Sequence, residues 1–268
     1  MSYKNKQEIM DRLIEHLGEL TKRGYENILG IFLQGSWNYD LGYENSDIDT
    51  KAIVLPSFED FVYGREPVST TIVLDNDEHI DVKDVRVMFD CFKKQNINFL
   101  EILFTKYKFI NYNYEKLFQP VLDNREAIAH LNTNQALKCM AGMSMEKLNA
   151  LEHKYPCQEK EIEQYGYSAK QAHHIARMNE FIQRYAFGEP FEQCLVTKQK
   201  EWLMYLKTNH LPVDVARLVF SALDEQTKQV KETFVTKEET FNSEANEILN
   251  KVKYDLLTYQ FKKELSEK

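Results

Sequence analysis

Hydrophobic and polar positions alternate along this chain with two different periods, and the change from one to the other divides it. Residues 5 to 22 carry Ile9, Leu13, Ile14, Leu17 and Leu20 at helical spacing, with Gly24 as a stop, which predicts an amphipathic helix lying on a sheet. An apolar run, Ile28 to Leu33, reads as a buried strand, and Asp47 to Leu55 reads as a second whose side chains alternate. Pro56-Ser57 caps a short segment, Phe58 to Tyr63, ended by Gly64. Thr70 to Leu74 and His79 to Lys83 predict two further strands about the turn Asp75 to Glu78, and Lys106 to Tyr112 a last edge strand. Asp84 is placed to begin the helix that starts at Val85. From Tyr114 onward the pattern is helical: Thr133 to Tyr155, a helix after Ser168, Lys198 to Thr208, Val213 to about Phe234, and Ser243 to about Leu265. The expected division is an α+β domain over 1–125 and an all-helical domain over 126–268. The apolar stripe Leu249, Val252, Leu256, Leu257 and Phe261 docks either on the body or on another subunit.

Candidate chemistry concentrates where the first two strands meet, at Gly35-Ser36, ten residues, then Asp47-Ile48-Asp49. Alternation puts Asp47, Asp49 and Lys51 on one side of the second strand and Ile48 on the other. Carboxylates sharing a face repel unless a cation lies between them, and hard oxygen donors at that spacing suit Mg²⁺. Gly35 lets backbone N–H groups approach an anion, and Ser36 adds a hydroxyl donor. Asp81, flanked by Ile80 and Val82, points away from a core face, as either an exposed strand residue or a third carboxylate.

Gly-Ser after an apolar strand, followed by Asp-x-Asp opening the next, resembles the signature of the DNA polymerase β nucleotidyltransferase superfamily. Asp81-Val82-Lys83-Asp84, a helix, and Asn96-x-Asn98-x-Leu100-Glu101-x-Leu103-Phe104 are similar to a branch of predicted nucleotidyltransferases associated with RNA repair. Ile97 stands where that branch normally has proline. The resemblance implies a mixed-sheet, palm-like core. It also implies Asp47, Asp49 and Asp81 as catalytic, metal-holding residues for Mg²⁺ or Mn²⁺, with Gly35, Ser36 and Lys51 on the nucleotide. Glu101 is either a fourth acid or a structural acceptor that orients a neighbour. Lys170, His174 and Arg177 fall at i, i+4 and i+7 of a helix after Gly166-Tyr167 and match the branch's second block. They are expected on the phosphates, with the nucleotide between the two domains. His173 and His174 diverge on a helix and do not suit a shared metal.

The implied activity is transfer of a nucleoside monophosphate from an NTP, by default ATP, to a hydroxyl on an RNA end, a small molecule or a protein, with two-metal catalysis and release of pyrophosphate. The alternative is a nucleotide- or RNA-end-binding regulatory module that keeps the fold without transfer. Bulk properties narrow this little further. The 268 residues are 43% hydrophobic and 28% charged, and a net charge of −8 argues against strong nonspecific nucleic-acid binding. No apolar run approaches a membrane span, and the N-terminus lacks a signal-peptide core, so a cytoplasmic protein is expected. Cys91, Cys139, Cys157 and Cys194 are too dispersed for a zinc cluster or a disulfide framework.

Overall fold

The structure is a computed structural model that describes residues 6–44, 46–156, 158–238 and 240–267. Asn45 of the central motif and Cys157 lie outside the described residues. The chain forms two compact units, one of residues 1–131 with 241–268 and one of residues 132–240.

In the first unit the elements run α1 (Lys6–Lys22), β1 (Ile28–Gln34), β2 (Asp49–Val54), α2 (Phe58–Val62), β3 (Ser69–Val73), β4 (His79–Asp84), α3 (Val85–Lys93), α4 (Ile97–Leu100), β5 (Lys108–Ile110), α5 (Tyr112–Asp123) and α6 (Arg125–Ala129). The strands make one mixed sheet in the order β3-β4-β2-β1-β5, with β2 and β4 parallel and the other pairs antiparallel. The coarse expectation of an α+β chain is met.

Two apolar faces explain why the sheet is covered on both sides. The α1 stripe Ile9, Leu13 and Leu20 is fully buried; Ile9 and Leu13 pack with Leu33 and Ile48, and Leu20 packs with Ile31, Ala52, Ile80 and Val82. On the opposite face Phe32 of β1 meets Phe118 of α5 at 6.1 Å between ring centroids, and Phe118 meets Phe89 of α3 at 6.4 Å. Asp84 caps α3 as its position predicts, its side chain accepting from the Arg86 N–H at 2.8 Å.

The second unit holds α7 (Thr133–Ala150), α8 (Glu159–Tyr165), α9 (Ala169–Ala186), α10 (Phe191–Leu195), α11 (Lys200–Thr208) and α12 (Val213–Phe234). Helix α9 is buried on most of its circumference and packs against α7, α11 and α12. Ser168 takes the N-cap position of α9, but its buried hydroxyl receives no capping hydrogen bond among the described residues. The Ala169 N–H donates instead to Glu161 at 3.0 Å.

The last helix, α13 (Ser243–Ser266), belongs to the first unit and not to the helical one. Its stripe therefore docks on the body. Leu249, Val252 and Leu256 are buried, Phe261 packs its ring against Phe58 and Phe61, and the Glu264 carboxylate accepts from the Phe58 N–H at 2.7 Å. A change of period marks where strands stop, but it carries no information about which unit a later helix returns to.

Gly42 is required by close approach. A Cβ on Gly42 would lie 2.2 Å from the Trp37 ring, which rests against that backbone. Gly42→Ala should therefore displace the indole and destabilise the first unit by about 1–3 kcal/mol, measurable as a lowered midpoint in urea unfolding.

Candidate functional site

Register decides which side chains meet. Gln34 pairs with Asp49 across β1 and β2, so the Gly35 bend leaves β1 directly beside the first residue of β2. Across the parallel pair Lys51 stands opposite Asp81. Thr50, Ala52, Ile80 and Val82 turn toward α1, which leaves Asp49 and Lys51 of β2 and His79, Asp81 and Lys83 of β4 on the other face. Of the three residues that alternation puts on one side, Asp49 and Lys51 share that face of β2 while Asp47 precedes the strand, and Asp81 lies on the same face of β4.

Each of these groups is engaged. The Asp49 carboxylate is half-buried; one oxygen accepts from the His79 N–H at 2.8 Å and lies 3.2 Å from His79 Nδ1. The Asp81 carboxylate lies between two ammonium groups, Lys51 at 3.1 Å and Lys83 at 2.9 Å. Lys51 is itself buried, 4.4 Å over the Phe99 ring, and burial depresses its pKa while the Asp81 charge opposes that shift. Its ammonium is directed at Asp81, whereas the sequence placed it on the nucleotide. Asp47 is exposed in the segment that precedes β2.

Do these residues fit a hard divalent cation? Among the described residues no three His, Cys, Asp or Glu side chains are gathered closely enough to hold one. The donor chemistry nevertheless suits it: oxygen ligands lie on one face, and Asp81 already collects positive charge, with two ammonium groups standing where a cation would be attracted. An ion at Asp81 has to displace an ammonium, and one at Asp49 meets a carboxylate already held by His79.

The bend is fixed from a different side. Gly35 has φ +84°, a left-handed value that favours glycine, and nothing stands within 4 Å of the Cβ position. Its N–H donates to the buried Glu101 carboxylate at 3.2 Å, so that amide is occupied and Glu101 acts as the structural acceptor. Ser36 opens a 3₁₀ turn, Ser36–Tyr39, whose Asn38 donates its side-chain amide to Leu33 and accepts from the Thr105 hydroxyl. Ser36 itself is half-buried.

Behind the sheet lies a polar network that the sequence reading did not identify. Glu78 accepts from Arg12 Nε at 3.0 Å and bonds His16 Nε2 at 3.0 Å; its other oxygen accepts from the Ile48 N–H at 3.2 Å. His16 Nδ1 bonds the Thr50 hydroxyl at 2.9 Å. All but Arg12 and its exposed edge are buried. The available signal was His16 itself, a titratable residue occupying a core position of the stripe Ile9, Leu13, His16, Leu20. Burial alone raises the pKa of Glu78, but hydrogen bonds from His16, Arg12 and Asn76 outweigh it and bring the group to about 2, from an unfolded value of 4.5. A carboxylate depressed in this way contributes stability above pH 4.5 that is lost as pH falls toward 2. The thermal midpoint of the first unit should fall across that window, and Glu78→Gln should flatten the dependence.

In the second unit, Lys170, His174 and Arg177 do occupy one face of α9. Lys170 is exposed, His174 half-buried and Arg177 buried. Burial first, then the neighbouring Arg177, hold His174 well below its ordinary pKa, so at neutral pH it offers hydrogen bonds and no charge. Burial likewise brings His173 to about 4, with its Nδ1 at 3.0 Å from the Leu203 carbonyl. The cations of the row are therefore Lys170 and Arg177.

These features define an α+β protein with a five-stranded mixed sheet whose candidate chemistry is a largely buried carboxylate and lysine face beside a glycine bend. Comparison of the chain with protein-family models and with curated protein sequences gives no match. Among the described residues no helix is long and apolar enough to cross a membrane.

Proposed function

We propose that the first unit is a nucleotidyltransferase that moves a nucleoside monophosphate from an NTP, by default ATP, to a hydroxyl acceptor with release of pyrophosphate. The observation that carries this reading is the register of the sheet: Asp49 and Asp81 lie on one face of adjacent parallel strands, and the Gly35-Ser36 bend adjoins Asp49. Mg²⁺ held by Asp47 and Asp49, with Asp81 once an ammonium gives way, would supply positive charge to the triphosphate and acidify the attacking hydroxyl.

The remaining work falls to the chain's own groups. His79 fixes the Asp49 carboxylate through its backbone N–H, and Glu101 fixes the bend through Gly35. The Ser36 hydroxyl is the donor in the bend suited to a phosphate oxygen. Lys51 and Lys83 offset the Asp81 charge and, when displaced, become cations available to the leaving pyrophosphate. The test is a screen of labelled NTPs with Mg²⁺ against RNA ends, small hydroxyl compounds and protein. Label transfer matched by pyrophosphate release supports the reading; NTP binding with no release under any acceptor contradicts it.

A second reading is favoured by one observation, the neutralisation of Asp81 by two lysines. It makes the unit a regulatory module that binds a nucleotide or an RNA end without transfer. Both readings expect NTP binding, and only the first expects pyrophosphate.

A further inference from the structure

The consecutive residues Glu78 and His79 grip consecutive residues Ile48 and Asp49 from opposite faces of the sheet. On the α1 side, the Glu78 carboxylate accepts from the Ile48 N–H. On the carboxylate side, the His79 N–H and ring nitrogen both meet one oxygen of Asp49. The alternation of the extended chain produces this arrangement: Glu78, just before β4, and His79, its first residue, address opposite faces, as do Ile48, just before β2, and Asp49. Glu78 is in turn held by Arg12 and His16, which stand four residues apart on one face of α1, and His16 also bonds Thr50 on the far side of Asp49. Both residues flanking Asp49 are thus tied to α1 through buried hydrogen bonds.

We infer that Glu78 is a positioning residue for Asp49, forming with His79 a two-sided clamp whose rear half is anchored by Arg12 and His16 on α1. The inference rests on the nucleotidyltransferase reading for what the clamp serves, a cation-holding carboxylate, but its geometry is independent of that reading. A buried carboxylate is an expensive way to satisfy a single amide, because ionised groups need several partners to offset their desolvation. Glu78 has them, and the result is a charge-assisted bond to the one backbone N–H lying between Asp47 and Asp49. Such bonds fix direction more tightly than a neutral contact, and a carboxylate that must meet a metal ion needs its direction fixed.

The test combines amide hydrogen exchange with Mn²⁺ titration on the full chain, in the wild type, Glu78→Ala and Glu78→Gln. Glu19→Ala serves as control, since Glu19 lies on α1 paired with Lys22 outside the network. Glu78→Ala is expected to speed exchange of the Ile48 amide selectively, with Ile31 and Leu33 of β1 unaffected, and to weaken Mn²⁺ binding about tenfold or more. Glu78→Gln, which keeps an acceptor for Ile48, is expected to fall between the two and carries the comparison should Glu78→Ala not fold. Equal acceleration throughout β1 and β2 would mean that Glu78 merely holds the sheet together and would overturn the inference, as would unchanged Ile48 exchange. Unchanged Mn²⁺ affinity in variants of a wild type that does bind Mn²⁺ would overturn it too. Selective loss of Ile48 protection in a protein that binds no Mn²⁺ even as wild type would leave the clamp standing and remove the nucleotidyltransferase reading.

Discussion

Asp49→Asn should lower pyrophosphate release by roughly a hundredfold to a thousandfold while leaving a folded protein. The asparagine side-chain oxygen can still accept from the His79 N–H, the 2.8 Å bond that seats this residue, so the substitution removes charge and little else. What is lost is the anion that attracts a hard cation to the start of β2. Steady-state pyrophosphate release, read beside the far-ultraviolet circular dichroism of the same sample, checks both halves. Activity within a few-fold of wild type would show that Asp49 only solvates the strand end.

The second large effect concerns the buried ion pair. Lys51→Met keeps the packing over Phe99 but leaves Asp81 with Lys83 alone, and breaking a buried pair from one side typically costs about 3–5 kcal/mol. Because Lys83 remains 2.9 Å away, the expected cost is at the lower end, about 3 kcal/mol. Adding Asp81→Asn to Lys51→Met should recover most of it, since the penalty comes from the uncompensated carboxylate and not from the missing ammonium. Mg²⁺ should also stabilise Lys51→Met more than wild type, because an ion entering at Asp81 no longer competes with two lysines; at a hundred times its dissociation constant it would add about 2.7 kcal/mol. Urea unfolding of the wild type, both single variants and the double variant, with and without Mg²⁺, measures every term.

How much of this was readable beforehand follows from the kind of interaction involved. Strands with clear alternation, the helix start at Asp84 and the long helices from Val213 and Ser243 could be placed because their signals are local. Register could be foreseen only in part. Alternation fixed the face of Asp49 and Lys51, but that β2 and β4 run parallel, so that Lys51 meets Asp81, depends on a crossover between them that carries no local mark. The return of α13 to the first unit was invisible for the same reason: its stripe shows that it docks, and its partners Phe58, Tyr114 and Asn27 lie more than a hundred residues away. Glu78 was read as a turn residue because its neighbours Asp75, Asn76 and Asp77 make a turn. Its burial is created by Arg12 and His16, whose helix is far off in sequence. Spacing shows that His174 shares a face with Lys170 and Arg177 but not its charge, because pKa depends on what covers the group.

The most direct measurement is a structure of the protein with Mg²⁺ and a non-hydrolysable NTP. The expected result is a triphosphate beside Gly35 and Ser36 with an ion bonded to Asp49 at about 2.0–2.1 Å and at least one lysine moved off Asp81. A nucleotide bound away from the bend, or no ion at Asp49 under saturating Mg²⁺, would contradict the account.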